Sequence, residues 1–247
     1  MTDIRQHLDK HKGRDIFVVG AGFSLAGFKF GLLKDRVTIV LNAMINLVPE
    51  PDYHIFADKG LANQFYKAPY TDGTHVVCKV EAENLLLQYK EFGLRDRVLT
   101  YKEEKNIEKI ERDDAQLFIN NTVATGAVML AWKLGARRIF LMGCDACYTT
   151  DEKGEIVFFC DDRADSAPQK NKGKRKQLKA KAGKNIDENL FQDNRHPTWC
   201  KQMEEVRQYF VSHNLFNECW PDAGVYNLSP LSAIEAFQKV PPEEVFK

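Results

Sequence analysis

Residues 15–25, Asp15-Ile16-Phe17-Val18-Val19-Gly20-Ala21-Gly22-Phe23-Ser24-Leu25, decide the fold. Ile16 to Val19 is an unbroken apolar run, rich in β-branched residues, that stops at a glycine. A half-exposed strand alternates apolar and polar residues, whereas an unbroken run is the pattern of a strand covered on both faces. Comparable runs recur at 36–42, 53–58, 74–80, 97–101, 116–119 and 138–143, separated by stretches of helical periodicity. The segment 122–134, TVATGAVMLAWKL, is small or apolar around most of a helical circumference, so it reads as a buried helix. Doubly covered strands alternating with helices imply an α/β fold: a doubly wound, mostly parallel, Rossmann-like sheet with helices on both faces.

Outward from this frame, the pattern breaks near residue 150. Residues 1–149 read as the nucleotide-binding part and 150–194 as a polar lid or insert. Residues 195–247 read as a helix, a short strand at 224–227 and a final helix from Ser232, completing the same domain. The insert contains KNKGKRKQLKAKAGK at 170–184, eight basic residues and no acid. The whole chain of 247 residues balances 35 Lys+Arg against 35 Asp+Glu, so the remainder is net acidic. A neutral total therefore excludes only a uniformly basic surface. Charge runs usually form solvated loops, but Lys174, Arg175 and Lys176 can also contact a polyanionic acceptor such as DNA, RNA or an acidic glycan. Apolar content of 44% and charged content of 28% are those of a folded globule. No apolar run reaches the roughly 18 residues of a membrane span. The N-terminus, MTDIRQHLDKHKGRD, has no apolar signal core, so a cytoplasmic address is expected.

Six cysteines include the CxxC pair Cys144 and Cys147. It ends a strand instead of opening a helix, and no second pair completes a zinc tetrad, so reduced structural thiols are the expectation. Candidate binding residues gather at the carboxyl ends of the strands, where open α/β sheets hold ligands. Gly20, Ala21, Gly22 and Ser24 follow the first strand, and glycines there let a backbone approach a phosphate with free amides. The third glycine of the full dinucleotide fingerprint is replaced by Leu25. Asn42, Asp58 and Asp145 end other strands and can read a base, a ribose or a hydrated metal, although Asn and Asp also favour strand ends as turn caps. Thr125 and Gly126 lie in the first turn of the buried helix, where amides and dipole favour an anion.

This order of features, GAGFSL, LNA, the helix near Thr125-Gly126, the strand RRIFLMGCDACY, then Asn194-Arg195-His196 and VYNLSPLS at 225–232, resembles a Rossmann-like family. The family includes the small bacterial α-2,3-sialyltransferases, the central domain of flagellin-modifying glycosyltransferases and the archaeal 6-hydroxymethylpterin diphosphokinases. The resemblance implies that His196 is the general base toward an acceptor hydroxyl and that Tyr148 stabilises the leaving phosphate. It assigns the nucleotide to Gly20, Ala21, Gly22, Asn42, Thr125 and Gly126. Ala21 stands where the sialyltransferases carry asparagine, and Asp58 resembles the diphosphokinase branch.

Three functions follow as expectations. The first is an inverting glycosyltransferase using a nucleotide-sugar donor, with no permanently bound cofactor and no metal. The second is a diphosphokinase-like enzyme using ATP and Mg²⁺ held by Asp58 and Asp145. The third is a nucleotide- or nucleic-acid-binding module without turnover.

Overall fold

The computed structural model describes residues 3–57, 61–65, 68–87, 95–147, 149–150, 156–157, 196–216, 220–230 and 232–246. The strands are β1 (Asp15–Val19), β2 (Val37–Leu41), β3 (Tyr53–Ile55), β4 (His75–Lys79), β5 (Val98–Glu104), β6 (Gln116–Phe118) and β7 (Arg138–Met142). They continue with β8 (Thr149–Thr150), β9 (Ile156–Val157), β10 (Gly224–Asn227) and β11 (Gln238–Lys239). The helices are α1 (Ala62–Phe65), α2 (Val80–Leu87), α3 (Val123–Lys133), α4 (Pro197–Ser212) and α5 (Pro242–Val245). Nine strands form one parallel sheet in the order β11-β10-β7-β1-β2-β3-β4-β5-β6, while β8 and β9 make a separate antiparallel pair. β1 is therefore flanked by β2 and β7, with Val18 beside both Ile39 and Leu141. The chain runs outward from β1 to β6, then returns to the other side of β1 as β7. That reversal makes β1/β7 the topological switch point of the sheet.

The unbroken apolar runs follow from burial on both faces. Ile16 and Val18 pack into the cluster that holds α3 and α4, and Phe17 and Val19 into the opposite one. On the first face Trp132 of α3 meets Tyr209 and Phe210 of α4 at ring distances of 6.4 and 6.0 Å. The second face is covered by α1 and α2, and near β1 by turns and the C-terminal Phe246, 5.4 Å from Phe17. Helices expected between β1, β2 and β3 are short 3₁₀ turns instead, at Phe23–Leu25, Phe30–Leu33 and Asn42–Asn46. Gly22, Gly27 and Gly31 interrupt the first connection and Pro49 and Pro51 the second, which leaves no uninterrupted run for a helix.

The final helix expected from Ser232 is a second correction. Residues 232–237 are irregular, followed by β11 and the four-residue α5. The Ser232 hydroxyl bonds the carbonyls of Cys144 and Asp145 at 3.1 and 3.2 Å, and the Asn227 amide donates to the Ile234 carbonyl at 3.1 Å. These tertiary bonds hold an extended course that local sequence does not reveal. Among the described residues no helix is long and apolar enough to cross a membrane.

Lys133 ends α3 with its side chain 1% exposed. Its ammonium donates to the Asp114 carboxylate at 2.8 Å and to the carbonyls of Glu111, Arg112 and Asp114. Burial pulls its pKa down and Asp114 pulls it back up. Lys133→Met is expected to lower unfolding free energy by about 2 kcal/mol, because those acceptors lose their donor while Asp114 keeps partial access to water. Urea denaturation checks this, and an unchanged midpoint would refute it.

Candidate functional site

A cavity of about 240 Å³ opens at the switch point. Gly20, Ala21 and Gly22 enter it from the end of β1, Leu41, Asn42 and Ala43 from β2, and residues 143–147 from β7. Thr122, Val123 and Ala124 bring the start of α3 to it, and Trp199, Met203 and Ile234 close the far wall. No lysine or arginine is among the described lining residues.

The glycines of the first loop have another purpose than the one their sequence suggests. The Gly20 amide donates to the Met142 carbonyl at 2.8 Å and the Gly22 amide to the Gly143 carbonyl at 2.7 Å, so neither is free for a phosphate. A Cβ at either position would lie 2.6 Å from the Gly143 oxygen. They are glycines because the β1 and β7 loops run in contact. Gly143, at φ +60°, is needed for the same approach.

Ser24 and Asp145 latch these loops together. Ser24 donates its amide to Asp145 Oδ2 at 2.8 Å and its hydroxyl to Oδ1 at 2.5 Å, and its Oγ lies 3.0 Å from Ser229 Oγ. The Gly143 amide donates to Ser229 Oγ at 2.9 Å. Asp145 is 4% exposed, and burial raises its pKa against the opposing bonds from Ser24. Both oxygens are thus engaged by one serine, which does not fit a carboxylate presented to a metal. Among the described residues no cluster of His, Cys, Asp or Glu could hold an ion. Burial also pushes the thiols of Cys144 and Cys147 up to about 12, so both stay protonated at neutral pH.

The start of α3 reaches the cavity, but not through the two residues expected to face a ligand. Thr125 donates its hydroxyl to the Phe118 carbonyl at 2.8 Å and is 0% exposed. A Cβ on Gly126 would strike Ile119. Both face the core, and the cavity receives Thr122, Val123 and Ala124 instead. Thr122 is the N-cap, its Oγ1 accepting from the Ala124 amide at 3.2 Å. First-turn amides lack intrahelical carbonyl partners, so the end of α3 that reaches the cavity favours an anion.

Asn42 does line the cavity. It has φ +49°, and its buried Oδ1 has no hydrogen-bond partner among the described residues. Ala146 at φ +50° and Asn121 at φ +72° add left-handed residues at the β7 loop and before α3. Alanine pays a steric cost there that asparagine largely avoids, which concentrates backbone strain around the cavity. His196 is the residue before α4, three positions ahead of the lining residue Trp199. Its amide donates to the Ala146 carbonyl at 2.7 Å and its ring stacks on Trp199 at 4.3 Å. Its side chain makes no capping bond to the helix, and burial lowers its pKa. Tyr148, Asp58, Lys174, Arg175 and Lys176 lie outside the described residues. Trp199 and Met203 were missed as lining residues, although their spacing of four in a helix entered by His196 puts them on one face.

A family model described as 6-hydroxymethylpterin diphosphokinase MptE-like matches residues 1–151. No curated protein sequence matches the chain. Among solved structures the chain is similar to the MAf glycosyltransferase from Magnetospirillum magneticum AMB-1, with a TM-score of 0.50 and 12% identity, over 97% of this chain and 37% of that one. It is also similar to the sialyltransferase CstII from Campylobacter jejuni, solved with the substrate analogue cytidine-5′-monophosphate. There the TM-score is 0.47 at 14% identity, over 93% of this chain and 85% of that one. At 12% identity the likeness to MAf is one of fold, and the chain spans little more than a third of that protein's length.

Proposed function

The chain belongs to the 6-hydroxymethylpterin diphosphokinase MptE-like family, and from that premise we propose that it is a nucleotide-dependent transferase. It moves an activated group from a nucleotide donor to a hydroxyl acceptor. The observation that carries this reading is the cavity itself, set at the switch point with Asn42 and the start of α3 on its walls.

Of the two donor classes, the cavity favours a nucleotide sugar. Its described lining has no cationic side chain, and a triphosphate needs concentrated positive charge about the transferred group. In this reading the α3 amides hold the leaving phosphate, and His196 takes the proton of the acceptor hydroxyl as its oxygen displaces that phosphate with inversion. Burial lowers the His196 pKa, which favours the neutral imidazole that a base requires. The family description favours the second reading, pyrophosphoryl transfer from ATP. The Mg²⁺ it would use does not fit Asp145, whose two oxygens are taken by Ser24.

A thermal-shift series with CMP, UDP, GDP and ATP, each with and without Mg²⁺, tests the assignment. A nucleotide at one hundred times its Kd adds about 2.7 kcal/mol. No shift with any of the four would overturn nucleotide binding, and a shift confined to ATP with Mg²⁺ would select the second reading. His196→Ala is then expected to slow transfer about a hundredfold with nucleotide affinity unchanged. Full transfer by that variant would remove His196 from the chemistry.

A further inference from the structure

Beneath Asn42 lies a histidine that the surrounding sequence, YHIFAD, presents as an ordinary strand residue. His54 is 0% exposed, in the middle of β3, with its ring 4.7 Å edge-on to Phe65 and 5.4 Å from Phe56. Its Nε2 lies 2.9 Å from the carbonyl oxygen of Asn42. A carbonyl only accepts, so Nε2 carries the proton. Nδ1 is then the acceptor, and the Tyr70 hydroxyl, 2.9 Å away, donates to it. The tautomer is fixed by the two partners, and the three residues form one directed chain from Tyr70 through His54 to Asn42.

The end of that chain is the left-handed Asn42, whose carbonyl orientation depends on φ and ψ at this turn. Resting on the nucleotide reading of the cavity, we propose that His54, oriented by Tyr70, is a positioning residue. It holds the Asn42 backbone so that the side-chain amide faces the nucleoside part of the donor. The Asn42 Oδ1 then accepts from an N–H or O–H of that nucleoside, an exocyclic base amine or a ribose hydroxyl. Without the bond from His54, Asn42 can relax toward right-handed backbone geometry and carry its amide off the cavity wall. The phosphate end, at α3, is untouched by this change.

The test measures affinity by calorimetry well below the melting temperature. The probes are the nucleotide preferred by the wild-type protein, its 2′-deoxy and base-substituted analogues, and inorganic pyrophosphate. His54→Leu is expected to weaken the nucleotide about tenfold and to level the differences among the analogues, with pyrophosphate affinity unchanged. His54→Gln, whose amide reaches the Nε2 position and can donate to the Asn42 carbonyl, is expected to restore most of the affinity. Tyr70→Phe, a milder change should His54→Leu not fold, is expected to weaken the nucleotide about threefold. In a double-mutant cycle His54→Leu and Asn42→Ala should be non-additive. The analogue that wild type loses and Asn42→Ala does not distinguish identifies the donor as base or ribose. A wild-type protein that discriminates nucleotides beside folded His54→Leu and Tyr70→Phe variants that match it would overturn the positioning role alone. Wild type that binds no nucleotide would overturn the reading of the cavity and this role with it.

Discussion

Asp145→Ala is expected to lower the melting temperature by roughly 10 °C and to abolish nucleotide binding, while Asp145→Asn leaves both close to wild type. Alanine removes the acceptor of both Ser24 donors and leaves them in a partly buried site. Hydrogen bonds to a carboxylate are worth about 1.5–3 kcal/mol each, and two orphaned donors together with a small void bring the loss to about 3 kcal/mol. In a chain of this size each kcal/mol moves the midpoint by about 2–4 °C. Binding fails for a separate reason: Gly20, Ala21 and Gly22 form one cavity wall, and Ser24 adds the side-chain latch that, with the Gly20 and Gly22 amide bonds, sets that arm against the β7 loop. Asparagine can accept the Ser24 amide through Oδ1 and donate from Nδ2 to Ser24 Oγ. Because burial already disfavours the charged carboxylate, the neutral isostere loses little. The pair also separates the two donor chemistries. A metal-holding Asp145 requires its charge, so loss of transfer by a stable Asp145→Asn protein would reinstate the metal reading. Thermal melts, calorimetry and a transfer assay with and without Mg²⁺ decide it.

The same contrast explains what could be read from the residues alone. The parallel sheet was legible because burial on both faces writes itself as unbroken apolar runs, and Ile16 to Val19 are all 0% exposed. The place of the cavity followed from the carboxyl-edge rule once β1 and β7 were recognised as strands. The purpose of the glycines was not legible. A sequence shows that Gly20 and Gly22 lack a side chain, but not whether a phosphate or a neighbouring group of the chain occupies the space, and here it is the Gly143 carbonyl, joined at Gly22 by the Asp145 carboxylate. Helix phase hid the α3 contacts in a similar way. Thr125 and Gly126 are the residues expected to face the nucleotide from the first turn, yet the Thr125 hydroxyl points at Phe118, and the N-cap Thr122 meets the cavity. His54 left no local trace, since its partners Asn42 and Tyr70 lie 12 and 16 residues away.

Acid is expected to unfold the protein in a window set by histidines instead of carboxylates. Burial pushes His54 down to about 3, His7 down to about 3 and His75 down to about 4, and lowers His11 as well. The geometry needs neutral rings. The Tyr53 hydroxyl lies 3.0 Å from both His7 Nδ1 and His11 Nε2, giving its proton to one ring and accepting from the other. The Lys10 ammonium, 3.2 Å from His75 Nε2, needs a lone pair there. A histidine whose folded pKa lies below the unfolded value of about 6.5 binds fewer protons folded than unfolded. Its contribution is therefore complete above pH 6.5 and is lost as pH falls toward the folded pKa. For the fully buried His54 that loss reaches about 2 kcal/mol at pH 5 and about 3 kcal/mol at pH 4. His7, His11 and His75 act in the same direction, each by less because water reaches them. Asp145 opposes them, since its raised pKa lets the folded state take up a proton first. Asp3, Glu204 and Asp222, lowered by their arginine partners, add stability that is complete above the ordinary carboxylate range and is lost only as pH falls below it. Urea midpoints measured at pH 7, 6, 5 and 4 should fall steadily across the histidine window, and His54→Gln should flatten the slope. A midpoint that holds from pH 7 to 4.5, or a slope indifferent to residue 54, would show that these rings are not held neutral by the fold.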